Sequence, residues 1–304
     1  MASGDLILDS WSMELRGVLM EAVRATGDFH IIAWPDGLGV PDSRLDTIPI
    51  PSEHGVFPGV QYLNGRTITM SLGVRGDTAE AVETAAQTLA GAWAPVSAAD
   101  SDNVIPLIFR MESSRKYRMY GKPLRMATAW GVLLEGYAAT DTWLTAEAQF
   151  LATDPRVYDN TLSSDTATVG TTSGGLSFPF GHPYGFGSAA PGTILADNEG
   201  NFPTYPVFTI SSNAGTLTTP IIINNVTTGE SFRVDLSLAE NEVLIIDMAN
   251  KDVYLDSGAS RLDNVDWTVS EWFDLESGVN EVTWSIGAGS TPTILAEWRS
   301  AWVF

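Results

Sequence analysis

The chain has 304 residues, 44% of them hydrophobic, with no cysteine and a formal net charge of −21. That length holds two modest domains with real cores, and the missing thiols exclude disulfide staples and thiolate metal sites. Acid excess is heavier in residues 161–304 (four Lys and Arg against 17 Asp and Glu) than in residues 1–160 (12 against 20), so the second half repels nucleic acid and anionic membranes. No apolar run approaches the roughly 20 residues of a membrane span. The start, MASGDLILDSW, lacks the basic and apolar stretches of a secretory leader, and none is expected.

Prolines at 35, 41, 49, 51 and 58 bar long helices from the first 60 residues, which read as short strands joined by exposed loops. Arg66–Arg75 alternates cleanly, with Ile68, Met70, Leu72 and Val74 on one face and Thr67, Thr69, Ser71 and Arg75 on the other. Asp77 or Thr78 can cap a helix over 78–93, whose Val82, Ala86, Leu89 and Trp93 form one apolar face before Pro95 ends it. Val104–Met111, Trp130–Tyr137 and Leu144–Ala152 read as further strands, the last with Leu144, Ala146, Ala148 and Phe150 on one face. Between them RKYRMYGKPLR, residues 115–125, reads as a basic hairpin or protruding loop. Residues 161–201 are polar and then rich in Gly, Pro and aromatics, a linker and an arm lying against a surface. From residue 202, short strands alternate with Gly, Asn, Asp and Pro turns, predicting an antiparallel two-sheet sandwich over 202–304. The fold class is therefore mostly β, with one helix in an N-terminal domain over 1–160.

Nothing in the chain is built to carry chemistry, and no catalytic, cofactor-binding or metal-binding residue is assigned. His30, His54 and His182 are isolated, which argues against a zinc site or a nucleophilic triad. Asp256, Asp263, Asp266, Glu271, Asp274 and Glu276 can pair as glycosidase carboxylates do, but they stand at turns, where acids solvate loops. Asp247, Asn250 and Asp252, or Asp256, Asp263 and Asp266, can supply oxygen to calcium, yet no stretch has the loop spacing. The basic stretch 115–125 fits an acidic partner protein better than nucleic acid, given the acidity of the whole. Ten tryptophans are either core and interface residues or sugar platforms, the former being the ordinary case.

Several stretches resemble the distal tail proteins of long-tailed, non-contractile bacteriophages, especially those of actinobacterial phages. These are GGLSFPFGHPYGFG (174–187), NEGNFPTYPVFTI (198–210), YLDSGASRL (254–262), SEWFDLESGVNEVTW (270–284) and the closing AEWRSAWVF. In the first half GRTITMSLGVRG and AEAQFLATDPRVY fit the ring-forming domain of the same family. The resemblance implies a structural, non-enzymatic protein at the tail tip of a virion, made in the host cytoplasm. It implies a homo-oligomeric ring, a hexamer, between the tail tube protein and the tail hub, with the tape measure and receptor-binding proteins as further partners. It also implies a galectin-like sandwich at the C-terminus. The sugar-binding signatures of galectins are absent, so that likeness concerns fold alone. A carbohydrate-binding module for host-wall glycans is the alternative reading, and a wall hydrolase the third.

If six copies surround a DNA channel, they carry about −126 in formal charge, which disfavours stable nucleic-acid binding. No membrane insertion is expected. Rings need strands or hairpins that reach across subunits. The expected contacts are Arg66, Arg75, Arg115, Lys116, Tyr117, Arg118, Lys122 and Arg125, and the expected arm contacts are Phe178, Phe180, Tyr184 and Phe186.

Overall fold

The computed structural model describes residues 4–22, 27–95, 104–130, 142–169, 191–212, 214–290 and 292–304. The chain forms two compact units, Met1–Asn160 with Val303–Phe304, and Thr161–Trp302. Both are built of strands, and no described helix is long and apolar enough to cross a membrane.

In the first unit, β1 (Ser12–Leu15) and β2 (Val18–Ala22) meet at the turn Arg16–Gly17, with φ of 48° and 77°. Positive φ at both positions lets a two-residue turn follow the twist of its strands. β3 (Phe29–Asp36) runs parallel to β2, while β4 (Ser43–Pro49) and β5 (Val56–Leu63) make a separate hairpin. β6 (Arg66–Gly76), α1 (Ala79–Ala92), β7 (Ile105–Arg110), β8 (Lys116–Thr128), β9 (Thr142–Ala152) and β10 (Val157–Asp159) follow. Seven strands close into a barrel in the order β8-β7-β1-β2-β3-β6-β9 and back to β8. β8 manages this by length: residues 116–121 pair with β7, and residues 121–128 pair with β9. β10 pairs with β8 at Tyr117 and Arg118. Closure removes the free edges of a sheet.

The barrel core follows the period of two. Ile68, Met70, Leu72 and Val74 of β6 are buried, as are Leu144, Ala146, Ala148 and Phe150 of β9. Their register sets Met70 against Ala148 and Leu72 against Ala146, so long side chains meet short ones. Val82, Ala86 and Leu89 of α1 join that core. Of the two possible caps it is Thr78 that serves, its Oγ1 accepting from Ala81 N at 3.1 Å. At the other end Arg16 donates to the carbonyls of Ala92 (3.5 Å) and Ala94 (2.7 Å), a cation placed at the negative pole of the helix.

The basic stretch 115–125 does not protrude: it is most of β8, hydrogen-bonded along both edges. Most of the strand expected at Trp130–Tyr137 lies outside the described residues.

The second unit is a sandwich. Its strands are β11 (Ser163–Thr168), β12 (Gly192–Asn198), β13 (Val207–Ser211), β14 (Ala214–Asn225), β15 (Ser231–Val234), β16 (Val243–Asp247), β17 (Asp252–Leu255), β18 (Gly278–Ser290) and β19 (Thr293–Trp298), followed by the short β20 (Ala301–Trp302), which is in neither sandwich sheet. One sheet runs β11-β19-β13-β16-β17 and the other β12-β18-β14-β15, with antiparallel pairing throughout. Phe208, Ile210, Leu244 and Ile246 from the first sheet share a core with Ile194, Ile221, Phe232 and Trp284 from the second. Thus residues 161–201, expected as linker and arm, contribute two strands, β11 and β12. All their outward positions but Leu195 are polar, which concealed the alternation. Phe178, Phe180, Tyr184 and Phe186 lie outside the described residues.

Candidate assembly surfaces

The motifs that carry the family resemblance converge inside the sandwich. Asn198, fully buried at the end of β12, donates through Nδ2 to the carbonyls of Phe202 (2.9 Å), Leu275 (3.2 Å) and Glu276 (3.3 Å). Its Oδ1 accepts from Gly200 N and Ala301 N, both at 3.1 Å. A Cβ at Gly200 would collide with the Ala301 backbone, so glycine is required there. Asn280 works alike: Oδ1 accepts from Glu276 N (2.9 Å), and Nδ2 donates to Glu276 O (2.8 Å) and Gly278 O (3.0 Å). Trp298 Nε1 donates to Asp197 O at 2.8 Å. These residues tie strand ends together and leave no side chain poised over a cleft. Acids at turns do the same work, as Asp247 accepts from Ala249 N and Asn250 N at 2.9 Å, and Asp266 from Thr268. The Thr268 bonds hold the Asp266 carboxyl below its ordinary pKa. Among the described residues no group of three or more His, Asp or Glu side chains could hold a metal ion.

The expected subunit contacts fare unevenly. Arg66 is 6% exposed and donates to the carbonyls of Leu38 (2.8 Å), Gly39, Pro155 and Phe304 (3.3 Å). Its strand, β6, is paired on both edges, by β3 and β9, and has no edge to offer a neighbour. Arg75 sits near the end of that strand, beside Asp28 and Asp77. Arg115 pairs with Asp159 at 3.5 Å, Lys116 Nζ donates to Gly4 O at 2.8 Å, and Arg118 holds Asn160 Oδ1 through Nε (3.0 Å) and Nη2 (2.6 Å). Tyr117 stacks on Phe109 at 5.6 Å. Those four serve the barrel's own closure. Lys122 is half-buried and Arg125 exposed, and neither side chain bonds a described residue.

One uncovered apolar feature was not singled out from the sequence. β4 and β5 are exposed along almost their whole length, and among the described residues they pair with each other alone. Cross-strand partners share a face, and Ile48 pairs with Phe57 while Arg44 pairs with Tyr62. Ile48 is 69% exposed, Phe57 56%, Val60 66% and Tyr62 56%. The Arg44 guanidinium lies 5.6 Å from the Tyr62 ring centroid. An isolated two-stranded hairpin is marginal in water, and a contiguous apolar face of this kind marks an interaction surface. The available signal was Leu45, Ile48, Val56, Phe57, Val60 and Tyr62 between the prolines.

Residues 199–302 match the family model for the siphovirus-type tail component, C-terminal domain (SPP1_Dit). Among solved structures the chain is similar to SPP1 Dit (gp 19.1), described as a paradigm of the hub adsorption apparatus in phages infecting Gram-positive bacteria. The two share 15% identity and a TM-score of 0.60 over 94% of this chain and 97% of that one. Two structures of the phage P2 baseplate in its activated conformation, with Ca and with Sr, share 10% and 11% identity at a TM-score of 0.49, over 94% of this chain and 96% of theirs. No curated protein sequence matches. Residues 199–302, within the second unit, are thus similar to the C-terminal domain of siphovirus-type tail components, and the chain shares the fold of SPP1 Dit along nearly all of its sequence.

Proposed function

We propose that this chain is a structural, non-enzymatic component of a siphovirus tail tip, a distal tail protein whose first unit builds a homo-oligomeric ring. The observation that carries the ring is the β4–β5 hairpin, which displays Ile48, Phe57, Val60 and Tyr62 with nothing described to cover them. A closed barrel has no edge to lend to a partner, so among the described residues the hairpin is the element left to reach one. Hexameric closure, contacts with tube and hub, and a galectin-like character of the sandwich belong to the same reading. So does an open channel, whose acidic copies leave DNA unbound.

The test is assembly of the purified chain, followed by light scattering and negative-stain imaging. The wild-type protein should form rings with a central opening. The double substitution Ile48→Ser with Phe57→Ser should leave monomers whose melting is nearly unchanged, since exposed positions alter stability by about 0.5 kcal/mol or less. A wild-type protein that stays monomeric over a wide concentration range, or a variant that still forms rings, would overturn the reading.

A further inference from the structure

A heterologous ring needs a knob and a hole on the same chain, and the hairpin supplies the knob. A groove of about 470 Å³ crosses the outer wall of the barrel. Its floor is set by register: Ala127 of β8 pairs with Glu147 of β9, and Glu147 pairs in turn with Ser71 of β6. Ala129 and Thr128 close one side, and Ile32 of β3, 46% exposed, closes the other. Small side chains make the groove, while Ile32 gives it an apolar wall. Glu147 is exposed there, with no cation bonded to it among the described residues. Two other grooves of this unit lie against α1; one is lined by Asp28, Arg75 and Asp77, so its acids already face a cation, and the other by Phe29, Ala81 and Ala85 with Asp28, Glu80, Thr84 and Thr88.

The hairpin face fits this groove in shape and charge. Its apolar row ends in Arg44, which lies over Tyr62 and has no bonded carboxylate among the described residues. We propose that the hairpin face of one copy, Ile48, Phe57, Val60 and Tyr62, seats in the Ile32–Ala127–Glu147 groove of the next copy, with Arg44 of the first against Glu147 of the second. The proposal rests on the ring reading above and names the receiving surface. Aromatic rings entering a groove floored by alanine and serine bury apolar area without displacing any core side chain. The charge pair sets orientation more than affinity.

The experiment uses the full chain in three variants, Arg44→Glu, Glu147→Arg and the two together, compared with wild type by mass photometry on dilution at low salt. Each single reversal puts like charges together and should raise the concentration at half-dissociation about tenfold or more. The double reversal should return it towards the wild-type value, and added salt should shrink all three differences. If the wild type forms rings but the single reversals leave them untouched, or the double variant is as weak as the singles, the groove is not the seat, while the ring reading stands. If the wild type forms no oligomer, both fall together. Melting of each variant, expected to match wild type, separates lost assembly from lost folding.

Discussion

Each unit is tied at one polar knot, and the two knots differ in kind. In the sandwich the knot is neutral: Asn198 and Asn280 gather amides and carbonyls from the chain after β12, the chain before β18, and β20. Asparagine both donates and accepts, so one side chain satisfies both groups without bringing charge into the interior. In the barrel the knot is ionic. Arg66 can only donate, and it collects carbonyls from Leu38, Gly39, Pro155 and Phe304. Asp154 accepts from Arg156 N at 3.0 Å and from the Tyr158 hydroxyl at 2.5 Å. Burial lowers the pKa of Arg66 against the pull of Asp154, and burial foremost, then the Asp154 charge, raises that of Tyr158 well above 10. The barrel knot thus rests partly on groups whose charge depends on pH, whereas the sandwich knot is made of amides that never titrate.

The comparison breaks most cleanly in the sandwich core. Trp284 is fully buried and lies so close to Gly192 that a Cβ there would collide with the indole. Trp284→Ala should cost about 3–5 kcal/mol through the cavity it opens. Calorimetry should show the sandwich transition falling while the barrel transition holds, which also assigns the two transitions. Equal loss in both would mean that the units do not fold as separate bodies.

Asn198→Ala removes five hydrogen bonds from a fully buried site. Orphaned carbonyls and amides there should cost about 3 kcal/mol of sandwich stability. Asn198→Asp keeps the volume but loses the donors and adds a charge, so it should do no better than alanine. Retained stability in the aspartate variant would assign the role of Asn198 to packing instead of hydrogen bonding.

How far the residues announced these features depended on where each partner stood. The alternation of Arg66–Arg75, the face of Leu144–Phe150 and a cap at Asp77 or Thr78 are local; the first two are found as read, and the structure chooses Thr78 for the third. Barrel closure was not local. Arg118 is bonded to Asn160, 42 residues away, and Lys116 to Gly4, 112 residues away, so a run of cations looked like a free loop. β11 and β12 were concealed because their outward residues are Ser, Thr and Asp with a single Leu195, and few of the inward ones are large. The hairpin escaped for another reason. Its apolar residues serve no core of their own unit, and prolines and glycines break the pattern that periodicity detects. The motif Asn198, Gly200, Gly278 and Asn280 stood out in the sequence, but its meaning, a clamp on backbone, needed the geometry.

The smallest effect tests the ionic knot. An unfolded tyrosine titrates near pH 10, whereas Tyr158 in the folded barrel does so well above that. With the folded pKa raised, the stabilisation is complete below about pH 10 and is lost as pH climbs from there to the folded value, at about 1.4 kcal/mol per pH unit. Tyr158→Phe should therefore cost about 1.5 kcal/mol near neutrality, the worth of a hydrogen bond to a carboxylate. Above pH 10 the gap between wild type and variant should narrow and then reverse, since phenylalanine has no proton to lose. Urea unfolding of the barrel transition from pH 7 to 11 measures that gap. The sandwich transition, tied by amides, serves as the internal control and should show no difference between the two proteins. A gap that stays constant across that range would mean that Tyr158 titrates alike in the folded and unfolded chain, and that the barrel knot is no more pH-dependent than the neutral one.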